Sequence, residues 1–212
     1  EVNDTIEVKG RMNISSSVNV VGTLSVGEDI KITGRSNFVE SVNIMKTLTV
    51  KERLIFNRPG SYGPNSVAIG KASLKSEGGG IGANVAIGEN SLETLTTGYW
   101  NVALGYRAGE SLDSNAYLNT FVGYSAGYNV SGNTNAIHNT ILGASAALNA
   151  TTIRDSVYIG YRSGSVLTTG NFNVVIGSTT SSNGSNDENT IILGYNVTGL
   201  GSNTAVIGNN DL

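Results

Sequence analysis

Hydrophobic and polar positions along the 212-residue chain alternate in two different repeats. In the first, apolar columns recur every 12 residues: Ile6, Val18, Ile30, Val42 and Leu54 form one, and Val8, Val20, Ile32, Ile44 and Phe56 another. Gly10, Gly22 and Gly34 punctuate the same interval. Within a unit, apolar residues alternate with polar ones, the period-2 signature of strands with one buried face. Each unit reads as two short strands joined at a turn, too small to fold without its neighbours.

The second repeat is longer and is anchored on a strand that ends in glycine. Nine copies occur: 66–70, 84–88, 101–105, 119–123, 139–143, 156–160, 173–177, 190–194 and 204–208. The residue before each glycine is branched and aliphatic: Ile69, Ile87, Leu104, Val122, Leu142, Ile159, Ile176, Leu193 and Ile207. It shares a face with the residue two positions earlier, from Val67 and Val85 to Ile191 and Ala205, because strand side chains alternate. The intervening column, from Ala68 and Ala86 through Phe121, Ile141 and Tyr158 to Val206, points the other way. Both faces are apolar, so the strand is expected to be buried on both sides. The glycine marks a turn, and the remaining residues of a unit leave room for a second short strand and a return loop.

The expected fold is therefore all-β: stacked coils that pair their strands in parallel, as a β-roll or β-helix. One apolar column fills the coil interior and the other requires cover from outside, so three chains, or two, pack against one another there. The column from Ile69 to Ile207 is assigned to the repeat core or to this inter-chain packing. Both prolines fall in one stretch, Pro59 and Pro64, which reads as a junction. This gives a 12-residue-repeat β shaft over 1–58, a junction over 59–64 and the nine-copy repeat domain over 65–212.

Composition sharpens the division. Residues 1–59 hold 8 basic and 7 acidic side chains, whereas residues 60–212 hold only 5 and 9. Overall, 14% of residues are charged, the net charge is −3, and there are 28 glycines and no cysteine. Disulfide frameworks and cysteine zinc sites are thereby excluded. Two prolines exclude collagen. A near-neutral chain is no nucleic-acid binder, and no apolar run is long enough to insert in a membrane as a helix. The abundant Asn, Ser and Thr beside the anchor glycine read as turn residues.

The segment Asn65–Gly70 resembles the head repeat of trimeric autotransporter adhesins, the YadA-like left-handed parallel β-roll. The variants Asn101–Gly109 and Asn119–Gly127 are more similar to bacteriophage tail-fibre and tail-spike proteins, in which such repeats often precede a C-terminal intramolecular chaperone that cleaves itself off after trimerisation. The resemblance covers roughly residues 65–210. The 17–18-residue spacing exceeds that of the adhesins and favours the viral comparison. It implies a fibrous homotrimer with left-handed coils and an intertwined β-repeat shaft, acting as a structural and adhesive part of a tail fibre in the virion, outside the cell. Its implied partners are a host cell-surface glycan or protein and other virion tail proteins. The same resemblance leaves two alternatives: a polysaccharide-degrading tail-spike and a bacterial adhesin head.

No catalytic residue, cofactor or metal is expected. His138 is the only imidazole, and the stretch around it, 133–140, offers no acid, so a loop or inter-chain hydrogen bond is its expected role. The run 78–83 fits G-x-G-x-x-A but leads into a strand, without the helix N-terminus that would hold a pyrophosphate. Glycoside hydrolysis would need paired carboxylates, for which Asp187 with Glu188, Glu89 with Glu93, and Glu110 with Asp113 are the candidates. Solvated loop positions are the simpler account of all three. Tyr106, Tyr124, Tyr161 and Tyr195 each follow an anchor glycine and read as a structural ladder. Tyr99 and Trp100 stand outside that column in a loop, and are the candidate receptor contacts.

Overall fold

The computed structural model describes residues 66–75, 81–131 and 136–209. The 12-residue-repeat shaft and the junction lie outside the described residues, as do residues 78–80 of the run 78–83. The described part is all-β. Nine strands form one parallel sheet in chain order: β1 (Val67–Ile69), β3 (Val85–Ile87), β5 (Val102–Leu104), β7 (Thr120–Val122), β8 (Thr140–Leu142), β9 (Val157–Ile159), β10 (Val174–Ile176), β11 (Ile191–Leu193) and β12 (Ala205–Ile207). A second parallel ladder joins β2 (Ile81–Gly82), β4 (Gly98–Tyr99) and β6 (Ala116–Tyr117), and isolated bridges continue it past Ile137 and Arg154. The chain is a β-solenoid, each coil adding one strand to the long sheet.

Register is set by the repeat itself. Val67 pairs with Val85, Val85 with Val102, and so on to Ile191 with Ala205, so every sequence column becomes a physical row. The anchor glycine is needed twice over. Gly143 has φ 135°, and a Cβ there would lie 2.5 Å from the carbonyl oxygen of Gly160 in the next coil. Successive coils approach too closely for any side chain at that corner.

The two strand columns separate cleanly. Ala86, Ala103, Phe121, Ile141, Tyr158, Val175 and Ile192 are fully buried in the coil interior. The column from Ile69 to Ile207 points outward, and Ile69, Leu104, Leu142 and Ile207 are exposed. It contributes nothing to the coil interior; any core it builds lies outside the single chain.

Interior volume is shared between two positions per coil, the strand centre and the fourth residue after the glycine. Ala86 is matched by Leu92, Ile141 by Ala147, Phe121 by Gly127 and Tyr158 by Gly164, and all eight are buried. A Cβ on Gly127 would lie 2.5 Å from the Phe121 ring, and one on Gly164 2.5 Å from that of Tyr158. Large residues at one position thus require small ones at the other, as close packing dictates.

The residue before each strand differs from its sequence reading. Asn84, Asn101, Asn119, Asn139 and Asn173 are buried ladder residues, not solvated turn residues. Asn101 Oδ1 accepts from both the backbone N–H (3.1 Å) and Nδ2 (3.0 Å) of Asn119. Asn119 Nδ2 also donates to Ala136 O at 2.7 Å, and Asn119 Oδ1 receives the same pair of bonds from Asn139. Ser156 and Thr190 replace asparagine in two coils and keep the line connected through Asn173. Such a ladder satisfies the corner backbone where water has no access.

Candidate interaction surfaces

Three surfaces stand out once the interior is accounted for. The first is the outward face of the nine-stranded sheet, carrying two rows of mostly Val, Ile and Leu. At ~4.8 Å per strand the stack runs roughly 40 Å, and three residues per strand make it about 10 Å wide. The face covers on the order of 400 Å², the size at which an exposed apolar patch marks a contact site.

The second surface is the corner entering each strand. The residue before the ladder asparagine is left-handed in every described coil: Ala83, Trp100, Leu118, His138, Asp155, Phe172, Asn189 and Asn203 have φ between 50° and 62°. Asn and Asp adopt this conformation at the least cost, whereas large residues resist it. The fold therefore gives no reason for Trp100 or Phe172, which are 56% and 50% exposed and fill no interior space. Around Trp100 the aromatics organise one another. Its ring meets Tyr99 edge-on at 4.8 Å, Tyr99 stacks on Tyr117 of the next coil at 5.2 Å, and Tyr117 meets His138 edge-on at 6.0 Å. The two predicted contact residues thus belong to a larger aromatic strip. Sequence reading missed Tyr117, His138 and Phe172 because their kinship with Trp100 is visible only when the coils are stacked in register.

His138 also acquires a partner that its own stretch of sequence lacks. Its Nδ1 lies 2.7 Å from Asp155 Oδ1, one coil on, and Arg154 Nε lies 3.4 Å from the other oxygen of the same carboxylate. A carboxylate 17 residues away is adjacent in a solenoid of this period.

No family model, curated protein or solved structure matches this chain. Its chemistry must be read from its own geometry.

Each member of the candidate carboxylate pairs is engaged by another group. Glu89 faces Lys71 at 3.9 Å and Glu93 faces Lys75 at 3.0 Å, both across adjacent coils. Glu110 is held by Arg107 and Asp113 by the Ser131 hydroxyl. Asp187 accepts from the Gly184 N–H at 2.7 Å, and Glu188 from Asn171 Nδ2 at 3.3 Å. These contacts are rungs between coils or a local turn. Among the described residues no group of three or more His, Cys, Asp or Glu side chains could hold a metal, and no helix is long and apolar enough to cross a membrane.

The third surface is the turn after the anchor glycine. Tyr106, Tyr124, Tyr161 and Tyr195 are exposed there, and Tyr106 stacks on Tyr124 at 5.3 Å with 19° between their planes. Ala144 interrupts the row after Tyr124.

Proposed function

We propose that this chain is a structural and adhesive segment of a fibrous homotrimer, of the kind that phage tail fibres use to attach to a host surface. The outward row from Ile69 to Ile207 packs against the same row of sister chains, and the coils wind left-handed, as in the repeats the sequence resembles. The carrying observation is that the solenoid interior is already filled, yet the aliphatic row from Ile69 to Ile207 remains outside it. A copy of the same chain presents matching rows at the same spacing, which makes sister chains the natural cover. Three copies also multiply weak surface contacts into avidity. The aromatic strip around Tyr99 and Trp100 is the contact surface for a host glycan or protein, since the fold does not require its largest members. The chain performs no reaction. The candidate acidic pairs among the described residues are engaged by neighbouring coils or by local turns, which supports a scaffold over a polysaccharide-degrading enzyme. Sedimentation velocity at micromolar concentration tests the assembly: a trimer is expected, and a well-folded monomer overturns the proposal.

A further inference from the structure

The turn surface holds a cavity of about 260 Å³ that spans three coils and is distinct from the aromatic strip. Its walls include Arg107, Tyr124, Tyr128, Asn129, Leu148 and Asn149. The size lies below the ~300–1,000 Å³ of sites for drug-sized ligands and suits one ring-sized group.

The polar atoms of the cavity are committed in a way that selects its ligand. Arg107 Nη2 donates to Glu110 Oε1 at 3.0 Å and to the Tyr128 hydroxyl at 2.7 Å, and its guanidinium lies 4.4 Å from the Tyr128 ring centroid. The positive charge is thereby balanced inside the protein. The Tyr128 oxygen accepts from Arg107, so its own O–H proton is left to donate. Asn129 and Asn149 each spend one Nδ2–H on a carbonyl, that of Leu148 and that of Ser165, both at 2.9 Å. Each is left with an amide oxygen as an acceptor and a second N–H as a donor. Tyr124, 58% exposed, adds an aromatic face, and Leu148 an apolar wall.

The hydroxyls of Tyr128, Ser125 and Ser145, two amides that each donate and accept, a flat aromatic face and no net charge match a ligand whose hydroxyls both donate and accept. An anion would meet an arginine whose charge Glu110 already balances, beside two amide oxygens. A cation would find no carboxylate in the lining, and Glu110 beside it already paired. We infer that this cavity binds a single neutral sugar ring, stacked on Tyr124 and hydrogen-bonded by Tyr128, Asn129 and Asn149. The inference rests on the adhesive reading above and gives it a ligand class and a second site.

The test is calorimetric titration of the full chain with neutral oligosaccharides ending in galactose, glucose, mannose or N-acetylglucosamine, alongside sialylated and glucuronylated counterparts. At least one neutral probe is expected to bind. Tyr124→Ala should weaken it roughly tenfold, by removing an aromatic face that contributes on the order of 1 kcal/mol. Leu148→Trp, which fills the cavity without deleting a polar contact, should abolish binding, and Leu200→Ala, at an exposed position outside the lining, should leave it unchanged. The inference is overturned if no neutral probe binds, if the acidic sugars bind more tightly, or if affinity ignores both Tyr124→Ala and Leu148→Trp. Sedimentation and attachment to cells separate this outcome from failure of the function. A trimer that adheres without binding these sugars sinks only the sugar site, whereas a monomer that does not adhere sinks the adhesive reading whatever the titration shows.

Discussion

The two faces of the same nine strands obey different rules. The inner column ranges in size from Ala86 to Tyr158, and the coils of Ala86, Phe121, Ile141 and Tyr158 compensate at the position six residues later. The outer column from Ile69 to Ile207 contains only Ile, Leu and Val, with no compensating partner within the coil. A packed interior tolerates variation when volume is traded between neighbours. A face whose neighbour is itself a repeat cannot trade in that way, because each row meets the same environment. Uniformity on the outside and variety on the inside are what an assembly of identical chains requires.

The inner rule breaks most visibly at Tyr158. Tyr158→Ala should cost about 3–5 kcal/mol, the usual loss for emptying a large aromatic site. Adding Gly164→Leu should recover much of it, because Leu92 fills the same position beside Ala86. Thermal unfolding of the single and double variants measures both, and a double variant no better than the single one would show that the coils do not exchange volume. Next in size is the ladder. Asn119→Leu strands the two Asn139 donors that bond its Oδ1 and removes the Nδ2 donor to Asn101 Oδ1 and Ala136 O, an expected loss of about 2–4 kcal/mol by chemical denaturation. If asparagine were only a turn residue there, the loss would stay under about 1 kcal/mol.

That contrast marks what was legible in the sequence. Alternation and the recurring glycine revealed the strands, their parallel stacking and their register, since a column in the alignment of repeats becomes a row in the solenoid. Which apolar face turns inward was not legible, because the chain offers Val and Ile on one side and Ala, Phe or Tyr on the other. Only the bulky residues that follow Ala86 and the glycines that follow Phe121 betray the closed side. The same limit hid the Asn ladder, the Asp155 partner of His138 and the left-handed corners. Each depends on contacts between coils, about one repeat apart, that local patterns do not encode. Tyr99 and Trp100 were visible as aromatics out of column; their strip was not.

A smaller effect separates the inner ring of Tyr158 from its hydroxyl. Burial pushes its pKa up from 10.0 to about 12, while Asn173 and Ser156 pull the other way without completing a hydrogen bond to it. The unfolded chain therefore loses this proton first. The contribution is fully present below pH 10 and is lost as the pH rises toward 12, a swing of about 1–3 kcal/mol. Tyr158→Phe should flatten the fall in melting temperature over that range. It should also leave stability at pH 7 unchanged or slightly higher, since the phenol oxygen is buried without a partner. A clear loss at neutral pH would instead show that the hydroxyl is bonded in the folded protein.

The outer face should respond in the opposite sense, with the least change to the coil and the greatest change to its company. Leu104 and Leu142 lie on the outward row, both 44–45% exposed. In a single chain, Leu104→Lys with Leu142→Lys places ammonium groups in water over their own aliphatic stems, and coil stability should change by no more than about 0.5 kcal/mol. Against a sister chain the same groups would be desolvated and repelled by their own copies, which no trimer of this size accommodates without unpaired buried charge. The double variant should keep the far-UV signature of the β-solenoid while its sedimentation falls to that of a monomer. Sedimentation identical to that of the parent chain would mean that the row faces solvent there too, and that its uniformity answers to something other than a second copy of the chain.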